Sequence, residues 1–285
     1  MSVEVFLLVI TSAIFHASWN FALRKLSGNI VVAWLAFWAG GILLLPVSAI
    51  IVLQNGLSES LPAFSLLMAI LSGIIHWWYL TFLALAYRYG DISIVYPIAR
   101  GTGVGLTAIL AWIILQEDIS FAGFTGIGMI LIGIFLTGGK IAAKQQDRLA
   151  VKYALLTGLT IGMYSLTDKV GVSGMHPVIF LCIVFIVSAA FMSPYILRKY
   201  ASEIIPMFKT NFKYILMIGP GSMITYLLIL FAFRLGAVSY IVAMREFAIV
   251  VGVFLGIVFL KETVTWKKWA GVLIITLGLI FLKIG

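Results

Sequence analysis

The chain is a series of long apolar runs separated by short polar breaks. The runs cover residues 3–23, 30–52, 63–86, 92–114, 121–139, 150–169, 177–197, 212–233, 238–260 and 265–284. They are apolar on all sides, so they show neither the alternation of a half-buried strand nor the single stripe of a surface helix. About 20 apolar residues in a helix cross the hydrocarbon core of a bilayer. The pattern therefore predicts an all-α membrane protein of ten transmembrane helices, with no segment left for a separate soluble domain.

Composition agrees. The 285 residues are 63% hydrophobic and 10% charged, whereas soluble domains carry about 25% charged residues. The single cysteine, Cys182, excludes an internal disulfide and a cysteine metal cluster. A net charge of +9 would suit nucleic acid, but its distribution argues against that partner. Fourteen Lys and Arg fall in connections after odd-numbered helices and three, Lys169, Arg234 and Lys283, on the other side. By the positive-inside rule the odd connections are cytoplasmic and both termini extracytoplasmic. Setting aside Arg88 and Lys169 as candidates for function leaves thirteen against two. The opening MSVEV lacks a basic segment, so the first run is read as helix 1 rather than a cleavable signal.

The polar stretch KIAAKQQDR, near the middle, divides the ten spans into five and five. The halves are related. Arg88 and Gly90 match Arg234 and Gly236 at an offset of 146. After a slip of one residue, Arg100, Glu117, Gly126 and Gly133 match Arg245, Glu262, Gly271 and Gly278 at 145. The expected organisation is a first repeat over 1–139, a polar linker over 140–149 and a second repeat over 150–285. Halves with an odd number of helices are inverted relative to one another. An inverted repeat with a site between the halves is a transporter architecture.

LQEDISFAGFTGIGMILIGIFL closes the first half and LKETVTWKKWAGVLIITLGLIFL the second. These L-x-E-x-(I/V/T)-x6-G endings, with the ten spans, resemble the EamA branch of the drug/metabolite transporter superfamily over essentially the whole chain. HASWN and LAYRYGDISIVYPIARG resemble a bacterial subgroup whose members begin with a His-x-x-Trp-Asn helix. The resemblance implies a multi-pass protein of a bacterial-type inner membrane that transports a small molecule without a cofactor. It is a poor guide to substrate, because the family moves amino acids, sugar phosphates, nucleotide sugars, choline-like cations and lipid-linked sugars. Many members have both termini in the cytoplasm, opposite to the charge count here. Small four-helix multidrug relatives use a carboxylate inside helix 1; here Glu4 sits at its edge.

Within the spans a few residues bear chemistry. His16, Trp19 and Asn20 share one face of helix 1 and read either as interhelical hydrogen bonding or as a substrate-facing stripe. His76, Trp77, Trp78 and Tyr79 lie in mid-span, too deep for an interfacial belt. Of these, His76 and Tyr79 are expected to face a common cavity, with Trp78 outward or packing and Trp77 a further binding candidate. Tyr226, in the second half, joins them. In helix 4, Pro97 is a candidate hinge between Tyr96 and Arg100. Arg100 is either an ion-pair strut or an anion anchor, since a guanidinium grips carboxylate or phosphate with two prongs. In helix 6, Tyr164, Ser165 and Asp168 share a face. In helix 9, Arg245 and Glu246 are adjacent and point about 100° apart, so each needs a partner elsewhere. Glu246 facing Arg100 and substrate facing Arg245 are the natural candidates. Asp168, Glu246 or a histidine would carry any proton coupling. Glu117 and Glu262 read as residues that fix their short turns. Gly158 with Gly162, and Gly252 with Gly256, have the spacing of close helix packing.

No phosphate-cradling loop, metal-ligand motif or nucleophile–base spacing is present in the sequence, so an enzyme is not expected. The leading reading is a secondary transporter of a small anionic or zwitterionic metabolite, acting by alternating access at a central cavity. The alternatives are an exporter of cationic or lipophilic compounds, through aromatic cation–π contacts, and a lipid-flippase-type or scaffold membrane protein. Besides the substrate, the expected partner is membrane lipid, with the protein either a monomer or a homodimer.

Overall fold

A computed structural model describes residues 1–24, 29–138, 145–260 and 265–285. The elements are α1 (Val3–Arg24), α2 (Ile30–Asn55), α3 (Leu57–Ser60), α4 (Ala63–Tyr89), α5 (Ile92–Ile114) and α6 (Phe121–Thr137) in the first half. The second half holds α7 (Gln145–Gly174), α8 (Pro177–Lys199), α9 (Ala201–Leu235), α10 (Val238–Met244), α11 (Phe247–Leu260) and α12 (Trp266–Ile284). The helix starts follow from local chemistry. Asn29 accepts the N–H groups of Val31 and Val32, Ser120 that of Gly123, and Thr265 that of Lys268. His176 caps α8, with Pro177 in the first turn where a missing N–H costs nothing.

Among the described residues, seven apolar stretches are long enough to cross a bilayer: α2, α4, α8, α9, most of α5 and α7, and residues 238–259. Shorter apolar helices are Val3–Ala17 and Phe121–Thr137, and α12 has lysines at both ends. Each predicted span but the ninth corresponds to one helix. α7 already begins at Gln145, inside the polar stretch expected to be linker. α9 breaks at Asn211 (φ −112°, ψ 16°), so the predicted span from 212 is preceded by a further helical segment that exposes Ile205 and Phe208. Lys25, Lys140, Lys144, Lys261 and Glu262 lie outside the described residues.

The helix packing has the twofold pattern of the sequence repeat. α4 packs on α7 and α8, and their repeat-equivalents α9, α1 and α2 pack together in the same way. α5 on α7 is matched by α11 on α1, and α5 on α6 by α11 on α12. The pseudo-twofold passes where α6 meets its own image, α12. There the repeat-matched glycines touch crosswise: a Cβ on Gly126 would lie 2.8 Å from the Gly278 carbonyl, and one on Gly133 2.8 Å from that of Gly271. This antiparallel crossing is close enough that a side chain would strike backbone. Gly158 and Gly162 likewise admit Thr102 and Leu106 of α5. Gly252 has nothing within 4 Å and serves no such contact.

Polarity is reversed relative to a soluble protein. Arg100, Asp168, Arg245 and Glu246 are buried, whereas Ile42, Leu53, Ile109, Trp112, Phe254 and Phe259 are exposed. That is the distribution expected when the surrounding solvent is lipid.

The two arginine-bearing spans differ. α5 is helical from Ile92 to Ile114 despite Pro97, whose ring is seated against Gly138. The ninth span is the broken one, dividing into α10 and α11 at Arg245 and Glu246. The backbone tightens there to i→i−3 hydrogen bonds: Glu246 to Ala243 (3.1 Å), Ala248 to Arg245 (3.0 Å) and Ile249 to Glu246 (2.9 Å). The two adjacent buried charges sit at this tightened turn, whereas the helix assignment of α5 runs through Pro97 without interruption.

Candidate functional site

α5 meets α10 at the interface between the halves. Arg100 extends from α5 to the α10–α11 break. Its Nε donates to Glu246 Oε2 at 3.2 Å and its Nη2 donates to Oε1. Arg100 is 7% exposed and Glu246 fully buried. The fork answers the question left open by the sequence: Arg100 faces Glu246. The pair neutralises two buried charges with the planar geometry suited to it, and it ties one half to the other.

Arg245, the repeat-equivalent of Arg100, has no such partner. It is 6% exposed, and its Nη1 donates to no acceptor. Its guanidinium carbon lies 5.5 Å from the centre of the Tyr226 ring, at cation–π distance. The hydroxyl of the same tyrosine donates to Asp168 Oδ2. Asp168 is fully buried beside the Ser72 hydroxyl, and its Oδ1 has no hydrogen-bond partner among the described residues. Asp168 stands next to the end of the predicted span 150–169, yet it is not at a solvated helix end. α7 runs on to Gly174 and keeps Asp168 inside the bundle.

An aromatic cluster surrounds these groups. The His76 ring stacks on Tyr164 at 4.2 Å and meets Tyr226 edge-on at 5.4 Å and Tyr79 at 6.4 Å. Tyr164 also meets Tyr79 and Tyr226 edge-on, at 5.8 Å and 6.2 Å. His76 Nδ1 is 2.9 Å from the Ser72 carbonyl, which only accepts, so that nitrogen carries a proton. Ser72 was missed in the sequence; its signal is the i, i+4 spacing to His76. Tyr96 is half-buried within electrostatic range of Arg100, Glu246 and Arg245, and His16 is half-buried within range of both arginines.

Not every candidate joins the cluster. Trp77 packs instead on Trp78 and Phe191, in a separate hydrophobic group with Trp34 and Met192. Trp78 is 41% exposed and points outward, as expected. Trp19 and Asn20 lie on α1, but their side chains are outside the described residues. Ser165 is buried, with its hydroxyl unpaired.

Glu117 has a larger role than fixing its turn. Its carboxylate accepts the N–H of Val238 (2.6 Å), the N–H of Ser239 (3.1 Å) and the Ser239 hydroxyl (2.6 Å). It thereby caps α10, a helix of the other half whose own N-cap, Ala237, offers no side-chain oxygen. Beside it the Ser120 N–H donates to the Tyr240 hydroxyl at 3.0 Å. Lys169 donates to the carbonyls of Phe233 and Gly236 (2.8 Å for the latter), at the C-terminal end of α9. Glu117, Lys169, Ser173 and Arg234 line a depression of about 530 Å³ at this end of the bundle.

Residues 4–139 and 148–284 each match the EamA-like transporter family. The chain belongs to that family. Among curated proteins, this EamA-like chain is similar to the multidrug resistance protein EbrB of Bacillus licheniformis, with 29% identity over 107 residues, 37% of this chain and 85% of that protein. EbrB of Bacillus subtilis is 28% identical over 104 residues, 36% of this chain and 84% of that protein. Those matches cover little more than a third of this chain. A solved structure, described only as the crystal structure of a protein, superposes with a TM-score of 0.77 at 15% identity, covering 100% of this chain and 98% of the other. At that identity the likeness speaks to fold alone. Family membership and the apolar helices together make this a multi-pass membrane transporter.

Proposed function

We propose that the protein is a secondary transporter that moves a small polar, acid-bearing metabolite by alternating access at the cluster around Arg245. The observation that carries this reading is a buried guanidinium with an unpaired N–H group at the interface of two inverted halves. An unpaired ion inside a membrane protein is costly. It is tolerated where a substrate supplies the missing charge. The Arg100–Glu246 fork joins the halves near their common axis and serves as the pivot. The working units are the halves 1–139 and 150–285, joined through 140–149. The Glu117 cap closes the end of the bundle that bears the even-numbered connections, which the Lys and Arg bias puts outside the cytoplasm. Opening that end requires the carboxylate to release the start of α10.

A second reading, export of cationic compounds, is favoured by the buried carboxylate of Asp168 among aromatic rings and by the name of the EbrB relatives. Counterflow in proteoliposomes, loaded in turn with carboxylates, phosphorylated metabolites and quaternary amines, separates the two. The first reading expects acid-bearing compounds to exchange and Arg245→Met to abolish it. Exchange of quaternary amines alone, or full exchange in Arg245→Met, overturns it.

A further inference from the structure

An acidic and a basic residue, each with one buried atom that has no hydrogen-bond partner among the described residues, flank one side chain. At the hydroxyl end of Tyr226 lies Asp168, with Oδ2 occupied and Oδ1 free. Over the ring face of the same residue lies Arg245, with Nη1 free. The two are electrostatic neighbours, yet they form no ion pair with each other, although an ion pair is what two buried opposite charges achieve nearby in Arg100 and Glu246. Tyr226 separates them, held by its hydroxyl on one side and covered by the guanidinium on the other. His76 and Tyr164 pack against Tyr226 and limit its freedom to move aside.

A guanidinium N–H calls for an acid oxygen, and a carboxylate oxygen calls for an ammonium N–H. A ligand with only an acid group satisfies Arg245 and leaves Asp168 unpaired in a dry site. A ligand with only an amine does the reverse. A ligand carrying both removes both penalties at once, and sites built on buried polar groups reject analogues that leave one of them unpaired. From this geometry we infer that the substrate of the central site is a small zwitterion. Its acid group sits on Arg245 and its ammonium on Asp168, with both carried by one short carbon frame. The rings of His76, Tyr79 and Tyr164 then face the frame between the two ends. This inference rests on the transport reading of the same site and narrows it.

Binding to the full-length protein in detergent, followed by thermal shift, tests the assignment with two matched trios: alanine, propionate and ethylamine; phenylalanine, 3-phenylpropionate and 2-phenylethylamine. In the wild type the zwitterion of at least one trio should bind at least tenfold more tightly than either singly charged member. Asp168→Asn should lose that preference over the acid alone, and Arg245→Gln the preference over the amine alone. Arg245→Lys keeps the charge without the fork and should retain part of the selectivity, which guards against a folding defect in Arg245→Gln. A singly charged member binding as tightly as the zwitterion, no binding by either trio, or unchanged selectivity in both variants overturns the proposal. Failure of the broader reading shows differently: transport would then persist in the Arg245 variants whatever the compound. Exchange of a singly charged compound that still depends on Arg245 would sink only the zwitterion.

Discussion

Arg100 and Arg245 occupy equivalent positions in the two halves, and their surroundings are opposite. Arg100 is held by both oxygens of Glu246, whereas Arg245 keeps an unpaired N–H over a tyrosine ring. The repeat explains the difference. At the offset of 145 that relates the arginines, Glu246 corresponds to Gly101. The twofold image of the fork would set Arg245 against a residue with no side chain. One half therefore donates a carboxylate across the interface and the other does not. Duplication placed two charges at the interface, and a single glycine-for-glutamate difference leaves one as a strut and the other free to take a ligand.

The comparison breaks most readily at the strut. Arg100→Met should leave Glu246 buried and unpaired, costing about 3–5 kcal/mol, seen as a large fall in thermal stability in detergent. Arg100→Met combined with Glu246→Met should recover most of that loss, because replacing a whole buried pair by apolar side chains is often neutral. If the single variant is as stable as the wild type, Arg100 is no strut.

Arg245→Met should do the reverse. It removes a buried charge that no carboxylate pairs among the described residues, so stability should stay level or rise while counterflow is lost. A fall in stability matching that of Arg100→Met would mean that the two arginines do the same work.

A smaller effect is expected where the halves latch at one end. Glu117→Ala strips α10 of its cap, and losing an N-cap costs about 0.5–2 kcal/mol. Solvent labelling of a cysteine introduced at Ser173, in the depression beside the latch, should then become faster. Unchanged labelling would show that Glu117 stabilises α10 without closing that end.

The least effect on ligand binding is expected from Trp77→Ala. Trp77 packs on Phe191 rather than in the cluster, so ligand affinity should hold within about threefold while stability falls by roughly 3 kcal/mol or more. A tenfold loss of affinity would return Trp77 to the binding site.

Much of the fold was legible in the sequence. The spans could be read because a bilayer requires about 20 apolar residues per crossing, and the inversion because each half has an odd number of helices. Arg100 and Glu246 could be read as partners because a charge in lipid demands one. The break after Met244 was not legible, since apolar runs look alike whether a helix passes through or bends. Nor was the reach of Glu117 to α10, nor the turning of Trp77 away from His76. Each depends on a helix more than a hundred residues distant in the chain.

By itself, the sequence determined that this is a ten-span inverted-repeat membrane transporter with buried charges at matched depths. Those properties follow from periodicity, composition and the twofold logic of the repeat. Only the tertiary structure decided which arginine is paired, that Asp168 and Arg245 flank one tyrosine without meeting, and that the latch crosses between halves. The reason is physical: the choice of partner for a buried charge is made by whichever groups the packed helices bring within hydrogen-bond distance, and that is a property of the interface between the halves rather than of any single span.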